Sequence, residues 1–160
     1  MAAKSKPEDD KPNNISVCRN RRARHEYELM DQLDCGIVLM GSEVKSIRAG
    51  KVSIEEAWVR VQDGELYLVG CDINEYPQAS WLNHETKRTR KLLAHRRELK
   101  KFCGRTSERS ITIVPLEMYL QRGFVKIKIA LAKGRKLHDK REKLKAQDAR
   151  REIRQVTRRG

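Results

Sequence analysis

Residues 111–131 constrain the fold more tightly than any other stretch. Val125, Ile127, Ile129 and Leu131 share one parity while Lys126 and Lys128 take the other, the period-2 signature of a half-buried strand. Upstream the phase slips: Ile111 and Ile113 are odd-numbered, whereas Leu116, Met118 and Leu120 are even, and Pro115 stands at the change. A proline there predicts a β-bulge, because it withholds a ladder donor and bends the strand sharply. Gln121-Arg122-Gly123 supplies the turn between the two runs. A long strand that must bend beside a long strand that alternates cleanly implies a curved sheet.

The rest of the chain fits that frame. Asp63-Gly64 favours a type I′ turn, making residues 57–70 a hairpin. Its two faces, Val59, Val61, Leu66 and Leu68 on one and Trp58, Tyr67 and Val69 on the other, both carry apolar groups, so the pair reads as central. Ile15 and Val17 begin a short strand, and Asn20 can cap a helical turn through Arg21-Arg22-Ala23-Arg24. From Tyr27 to Leu33 a half-buried strand places Tyr27, Leu29 and Leu33 on one face. Between Gly36 and Gly41, Ile37-Val38-Leu39-Met40 is a short strand or its lead-in.

Ser42 has the chemistry of an N-cap, and residues 43–49 predict a two-turn helix with Val44 and Ile47 inward, Glu43, Lys45 and Arg48 outward, and Gly50 as its left-handed stop. Residues 72–88 lack a period and predict a long loop with a basic end, Lys87-Arg88-Thr89-Arg90-Lys91. Thr89 is then expected to cap a helix whose stripe is Leu92, Leu99, Phe102 and Cys103, ending at Gly104. The expected fold is mainly β: an OB-like antiparallel β-barrel over residues 15–132 with flanking helices.

At Ala132-Lys133 the composition changes. Residues 133–160 hold twelve Lys/Arg against four Asp/Glu, a net of +8 out of the chain's +14. Placed on a helix, Lys140, Lys143, Arg150, Arg151, Arg154 and Arg158 fall within a sector of roughly 100°, while Leu137 and Leu144 lie nearly opposite Ile153 and Val156. No single apolar stripe exists to bury. The segment therefore reads as an intrinsically flexible basic tail that folds when phosphates cancel its self-repulsion; a solvated, salt-bridged surface helix is the alternative. Residues 1–14 carry no periodicity and read as a disordered lead.

This charge balance points to a polyanion, nucleic acid before membrane. No apolar run approaches the roughly 18 residues that span a bilayer, and the first residues lack a signal core, so the expected location is cytoplasmic. Cys18, Cys35, Cys71 and Cys103 are far apart, with no CxxC pair and no second ligand spaced from His25 or His95, so they read as core thiols and no metal is expected. There is no DxD or HxH set. Catalysis needs a paired acid and base or a carboxylate–metal cluster, so a nuclease is disfavoured, and the chain reads as a non-enzyme without cofactors.

Four stretches carry a resemblance: residues 20–27 (NRRARHEY), residues 41–51 (GSEVKSIRAGK), residues 88–93 (RTRKLL) and residues 130–141 (ALAKGRKLHDKR). In this order they resemble the small protein B (SmpB) family, the bacterial ssrA-RNA-binding proteins of ribosome rescue, from about residue 15 to the C-terminus. The resemblance implies an OB-type barrel that binds the tRNA-like domain of transfer-messenger RNA (tmRNA), stands in for its missing anticodon arm and delivers it to stalled ribosomes.

It matches Asn20, Arg24, His25, Glu43, Lys45, Leu93 and Lys126 to the family's RNA-facing positions. Asp34 stands where Glu is commoner, keeping the charge but shortening the reach by a methylene. Arg48, Arg90 and Lys128 join this set as basic neighbours. The tail (Gly134 as a joint, then Lys136, His138, Asp139, Lys140, Arg141, Lys143, Arg150, Arg151, Arg154 and Arg158) would enter the empty mRNA channel and reach rRNA of the decoding centre of the 70S ribosome. Elongation factor Tu is the expected companion in delivery, with a monomeric protein and no membrane partner. A general OB-fold ribosomal or initiation-type RNA binder would explain the barrel but not the Asp139-Lys140-Arg141 context.

Simpler roles stand beside these. Asn20 is equally a helix cap, Glu43 a first-turn residue favoured by the helix dipole, Leu93 the edge of the core, and Lys126 and Lys128 solvent-side residues of a strand. Trp58, Tyr67 and Tyr76 read as core aromatics, with base stacking as the alternative.

Overall fold

The computed structural model describes residues 14–135 and 137–159. Among these described residues nine strands and four α-helices follow one another: β1 (Ile15–Arg19), α1 (Ala23–Glu26), β2 (Tyr27–Ile37), α2 (Gly41–Arg48), β3 (Val52–Ser53), β4 (Trp58–Gln62), β5 (Glu65–Val69), β6 (Asp72–Ile73), β7 (Arg90–Leu93), α3 (Arg96–Arg105), β8 (Ile111–Gln121), β9 (Phe124–Gly134) and α4 (Leu137–Arg159). Six strands close a ring in the order β8-β4-β5-β7-β2-β9, with β9 pairing back onto β8 and β1 lying along β8; every pairing is antiparallel. Closure leaves few free edges, which is how a small all-antiparallel sheet avoids edge-to-edge association. The fold is the expected OB-like barrel with flanking helices.

Both tight turns lie where expected, and the one at Asp63-Gly64 is of the expected type. Asp63 and Gly64 take φ of 52° and 72°, and Arg122 and Gly123 take 51° and 82°, the consecutive left-handed pairs of type I′ hairpins. The register between β8 and β9 shifts between Pro115 and Glu117, so the bulge lies where the proline and the phase change predict it.

A second bulge lies in β2, between Leu29 and Gln32 in the register against β9. It overturns the expectation that Tyr27, Leu29 and Leu33 share a face. Leu33 and Cys35 enter the main core with Ile113, Met118, Ile127 and Ile129. Tyr27 and Leu29 instead pack on the outside of the barrel against Ala23, Val114, Leu116, Ala130 and Ala132. The two bulges together let one pair of long strands serve both an inner and an outer apolar cluster.

Other expectations need correction. Helix α2 begins at Gly41 and its N-cap is Met40; Ser42 lies inside the helix, where its hydroxyl meets His84 Nδ1 at 2.9 Å. Thr89 caps nothing: residues 90–93 form β7, and α3 starts only at Arg96, with His95 as N-cap. Four residues of alternating burial against β5 and β2 outweigh helical spacing that a lone Leu92 had suggested. The 72–88 stretch is not a bare loop. It opens with β6 paired to β3, contains a 3-10 turn at Pro77–Leu82, and is closed by Asn83, whose amide bonds both the N–H and the C=O of Tyr76 at 2.8 Å. Trp58, Tyr67 and Tyr76 belong to neither core cluster; Tyr67 lies beneath the Arg60 guanidinium and Tyr76 beneath the Lys45 ammonium. Cys35 and Cys71 are buried, and burial pushes both thiols up to about 12; Cys18, partly buried, is pushed up to about 11.

Two charged residues expected at the surface anchor the interior. Glu43 and Arg90 are both 0% exposed. Arg90 Nε donates to Glu43 Oε1 at 2.8 Å, and its remaining nitrogens donate to the carbonyls of Cys71 and Arg88 at 2.8 Å, Thr86 at 3.2 Å and Glu85 at 3.4 Å. The other carboxylate oxygen accepts from Arg88 Nη2 and from the Met40 N–H, each at 2.8 Å. All five guanidinium donors are thus matched, the condition under which a buried ion pair is tolerated.

At the tail the boundary moves, and the segment takes the form of the helical alternative. Strand β9 continues to Gly134, and Arg135 N–H donates to Glu26 O at 3.1 Å, so the barrel ends beyond the anticipated boundary at 132. Residues 137–159 form a single helix, α4, since no glycine or proline interrupts them. Leu144, Ile153 and Val156 on it are exposed, as two opposed apolar pairs require. The anticipated lead at 1–14 lies outside the described residues apart from Asn14, and Lys136 lies outside them too.

The ion pair sets a measurable expectation. Glu43→Gln leaves Arg90 buried without a counter-charge and should cost about 3–5 kcal/mol in urea unfolding. Burial alone would raise the Glu43 carboxyl; the bonds from Arg88, the Met40 N–H and Arg90 outweigh it and hold it below the usual range. A depressed carboxylate stabilises the fold above its unfolded value of about 4.3. The gap between the native chain and Glu43→Gln should therefore be constant above that pH and shrink as pH falls below it.

Candidate nucleic-acid interface

The outer face of β2, β9 and β8 is set by register. Lys126 lies between Gly36 on β2 and Tyr119 on β8, and Gly36 in turn faces Leu93 on β7. Lys128 lies between Asp34 and Glu117 in the next outward row. Because alternate residues of a strand share a face at about 7 Å spacing, Phe124, Lys126 and Lys128 form an outward file along β9. Beyond Lys128 the same face is covered: Ala130 and Ala132 are buried under α1 and its neighbours.

Side-chain bonds fix this surface. Tyr119 Oη donates to Asp34 Oδ1 at 2.8 Å, reaching across β9. Burial first, and then the Asp34 carboxylate, push the phenol well above its ordinary value, so it stays a donor. Glu117 is paired with Arg19 at 3.1 Å. Leu93 is 50% exposed, beside a glycine that puts no side chain between it and Lys126. An exposed leucine flanked by a lysine offers an apolar contact and a cation to the same ligand.

At the covered end a cleft of about 600 Å³ is walled by Arg19, Arg21, Arg24, His25, Lys128 and Lys143, with Asn20, Gln32 and Glu117 also lining it. Asn20 explains why α1 is there. Its Oδ1 accepts from Ala23 N–H at 3.2 Å while its Nδ2 donates to Pro115 O at 3.1 Å and Ile54 O at 3.5 Å. The buried amide ties the helical turn to the bulge in β8 and so presents Arg24 and His25. At the other end Arg48 Nη2 donates to Gly123 O at 3.3 Å, bracing α2 against the β8–β9 turn.

The structure thus brings Asp34, Leu93, Lys126 and Lys128 onto one face, with Arg24 and His25 at one end and Arg48 at the other. Glu43 and Arg90 are corrected: both are interior, with their polar atoms engaged, and they position α2 and β7 without presenting a contact surface. Asn20 is likewise a buried brace. Lys45 stands apart with its ammonium 5.3 Å from the centre of the Tyr76 ring. In the tail, Gly134 ends β9, Arg141, Arg150, Arg151, Arg154 and Arg158 are exposed on α4, and Lys143 Nζ donates to Arg24 O at 3.1 Å. His138, Asp139 and Lys140 fall in the first turn of α4, their side chains outside the described residues. Sequence reasoning missed Tyr119, a buried brace for Asp34, and the exposed Phe124. Parity held the signal: Tyr119 is odd where Met118 and Leu120 are inward, and Phe124 is even with Lys126 and Lys128. Among the described residues no His, Cys, Asp and Glu cluster could hold a metal, and no helix is long and apolar enough to cross a membrane.

Known proteins resemble this chain over most of its length. The family model described as SmpB protein matches residues 17–159. An SsrA-binding protein of Rhodopirellula baltica is 48% identical over 151 residues, 94% of this chain and 86% of the relative. One from Pelotomaculum thermopropionicum is 47% identical over 137 residues, 86% of this chain and 90% of its own. A chain in the solved structure "tmRNA-SmpB: a journey to the center of the bacterial ribosome" superposes with a TM-score of 0.64 at 44% identity, covering 75% of this chain and 85% of that one.

If Lys126 and Lys128 meet phosphates, replacing both with Ala should weaken RNA binding and flatten the plot of log K against log[salt] by roughly 0.7–0.9 per lysine. Titrations from low to moderate salt measure both effects.

Proposed function

The chain belongs to the SmpB protein family, and from that membership we propose that it binds the tRNA-like domain of tmRNA (SsrA RNA) and carries it to stalled ribosomes for trans-translation. The observation that carries this reading is the outward strip from Arg24 and His25 through Lys128 and Lys126 to Arg48. It mixes cations with Leu93 and with Asp34, which the buried Tyr119 holds in place, groups suited to a folded RNA whose sugars and base edges are exposed. Phosphate contacts along the strip give affinity, and the mixed contacts give preference for one RNA shape.

The barrel, residues 15–135, occupies the place of the anticodon arm that the RNA lacks. The tail leaves the barrel after Arg135, because Gly134 is paired with Tyr27 in the sheet and is not the expected joint. It enters the vacant mRNA channel and sets its cationic stripe (Lys140, Lys143, Arg150, Arg151, Arg154 and Arg158) against rRNA, with Lys136, His138, Asp139 and Arg141 nearest the decoding centre. An exposed helix bearing opposed apolar pairs gains little from its own barrel and much from a tunnel of phosphate. This work is binding throughout: the protein is an adaptor without catalysis, cofactor or metal, it acts as a cytoplasmic monomer, and elongation factor Tu accompanies it in delivery.

The test compares affinity for the tRNA-like domain of tmRNA, for tRNA and for a random duplex, using the full chain and a chain ending at Arg135. The full chain should prefer the tmRNA domain, and truncation should keep that preference while abolishing peptide tagging on stalled ribosomes. If all six stripe cations meet phosphate, loss of the tail should flatten the salt dependence of ribosome binding by about 4 to 5 in log–log slope. Loss of the tmRNA preference on truncation would overturn this division of labour.

A further inference from the structure

Phe124 is an apolar residue on the polar side of its strand. It is the first residue of β9, 72% exposed, in file with Lys126 and Lys128 and opposite Gln121. Core packing does not explain it, since Val125, Ile127 and Ile129 carry the inward side of the strand.

Its surroundings are a tight turn and a group of cations. The turn that presents it contains only Arg122 and Gly123, both in left-handed backbone. Arginine is an unusual occupant there, because a side chain in that region costs energy that Asn or Gly would avoid. The same turn is braced from α2 by Arg48, through the bond to Gly123 O. A concavity of about 400 Å³ beside the ring is lined by Gln121, Arg122, Phe124 and Lys126, and none of the four is acidic.

An exposed ring flanked by cations, with the Gln121 amide lining the same concavity, has the parts of a base-stacking platform. Sequence-tolerant RNA sites combine an aromatic face with a basic backbone track in this way. A hydrophobic protein partner would be a poorer match, because Arg48, Arg122 and Lys126 would each be desolvated without a counter-charge.

We propose that the tip of the β8–β9 hairpin is a nucleobase-stacking site: Phe124 takes one unpaired base of the bound RNA on its ring, while Arg122, Lys126 and Arg48 hold the adjoining phosphates. The proposal rests on the RNA-binding reading above and adds a defined contact to it.

The test uses the full chain and the tRNA-like domain of tmRNA, titrated across salt. Phe124→Ala should weaken binding about tenfold to a hundredfold while leaving the log–log salt slope unchanged, because stacking releases no counterions. Phe124→Trp should bind as the native chain does, and Phe124→Leu should fall with Phe124→Ala. Arg122→Ala should flatten the slope by roughly 0.7–0.9, which separates the phosphate role from the stacking role. Urea midpoints of the Phe124 variants should match the native chain, since the ring lies outside the core. Native affinity for Phe124→Ala, or for Phe124→Leu, would overturn the proposal. So would reduced tagging on ribosomes with native RNA affinity, which would assign the tip to a protein. Failure of the native chain to prefer the tmRNA domain would instead sink the functional reading.

Discussion

The bond between Glu43 and Arg90 is the constraint on which the rest of the structure depends. It takes two opposite charges wholly out of water and matches every guanidinium donor, so α2, β7 and the residue 85–88 segment are held to one another by a group that tolerates little displacement. Arg88 adds a second guanidinium to the same carboxylate from a part-exposed position. The outward strip inherits its geometry from this knot. Arg48 can brace the hairpin turn only if α2 lies where Glu43 fixes it, and Leu93 can flank Lys126 only if β7 stays in register beside β2. An ion pair of this kind contributes less net stability than a well-packed apolar pair would; what it supplies here is placement.

A second constraint is the pair of bulges. A strand that alternates without interruption commits each side to a single environment. In this barrel β2 and β8 each change commitment once, at residues 29–32 and at Pro115–Glu117. Their ends beyond the bulges therefore bury residues on the outside of the cylinder, under α1. Asn20 couples the two features, bonding the bulge carbonyl at Pro115 and the first N–H of α1 with one amide. The basic cleft exists because an outer apolar cluster gives α1 somewhere to sit.

Much of this was legible in the residues. The phase slip at Pro115 and the outward file of Lys126 and Lys128 follow from period-2 reading, because strand alternation is a local property, and the type I′ turn at Asp63-Gly64 follows from its dipeptide. The bulge in β2 was hidden: Tyr27, Leu29 and Leu33 share parity, and no proline or glycine marks the change. The fate of residues 89–93 was hidden too. Leu92 fits a helical stripe and a strand equally well over so short a run, and only the pairing with β5 and β2 decides between them. Glu43 and Arg90 misled for a different reason: charge predicts exposure unless a partner is known, and theirs lie 47 positions apart. Family motifs mark such residues as important without distinguishing a brace from a contact.

The cylinder is fastened unevenly. Strand β4 meets β8 through the single pair Val59 and Ile113, whereas β8 and β9 run together along nearly their whole length. The wall is therefore a plate of β2, β9 and β8 paired along most of its length with a lighter leaf of β4 and β5 hung from it, and a seam with so few ladder bonds is where local opening costs least. Asp34, Lys126 and Lys128 all ride on the plate. The surface proposed to bear RNA can then stay still while the leaf gives, so that a small body could absorb jostling without loosening its cargo.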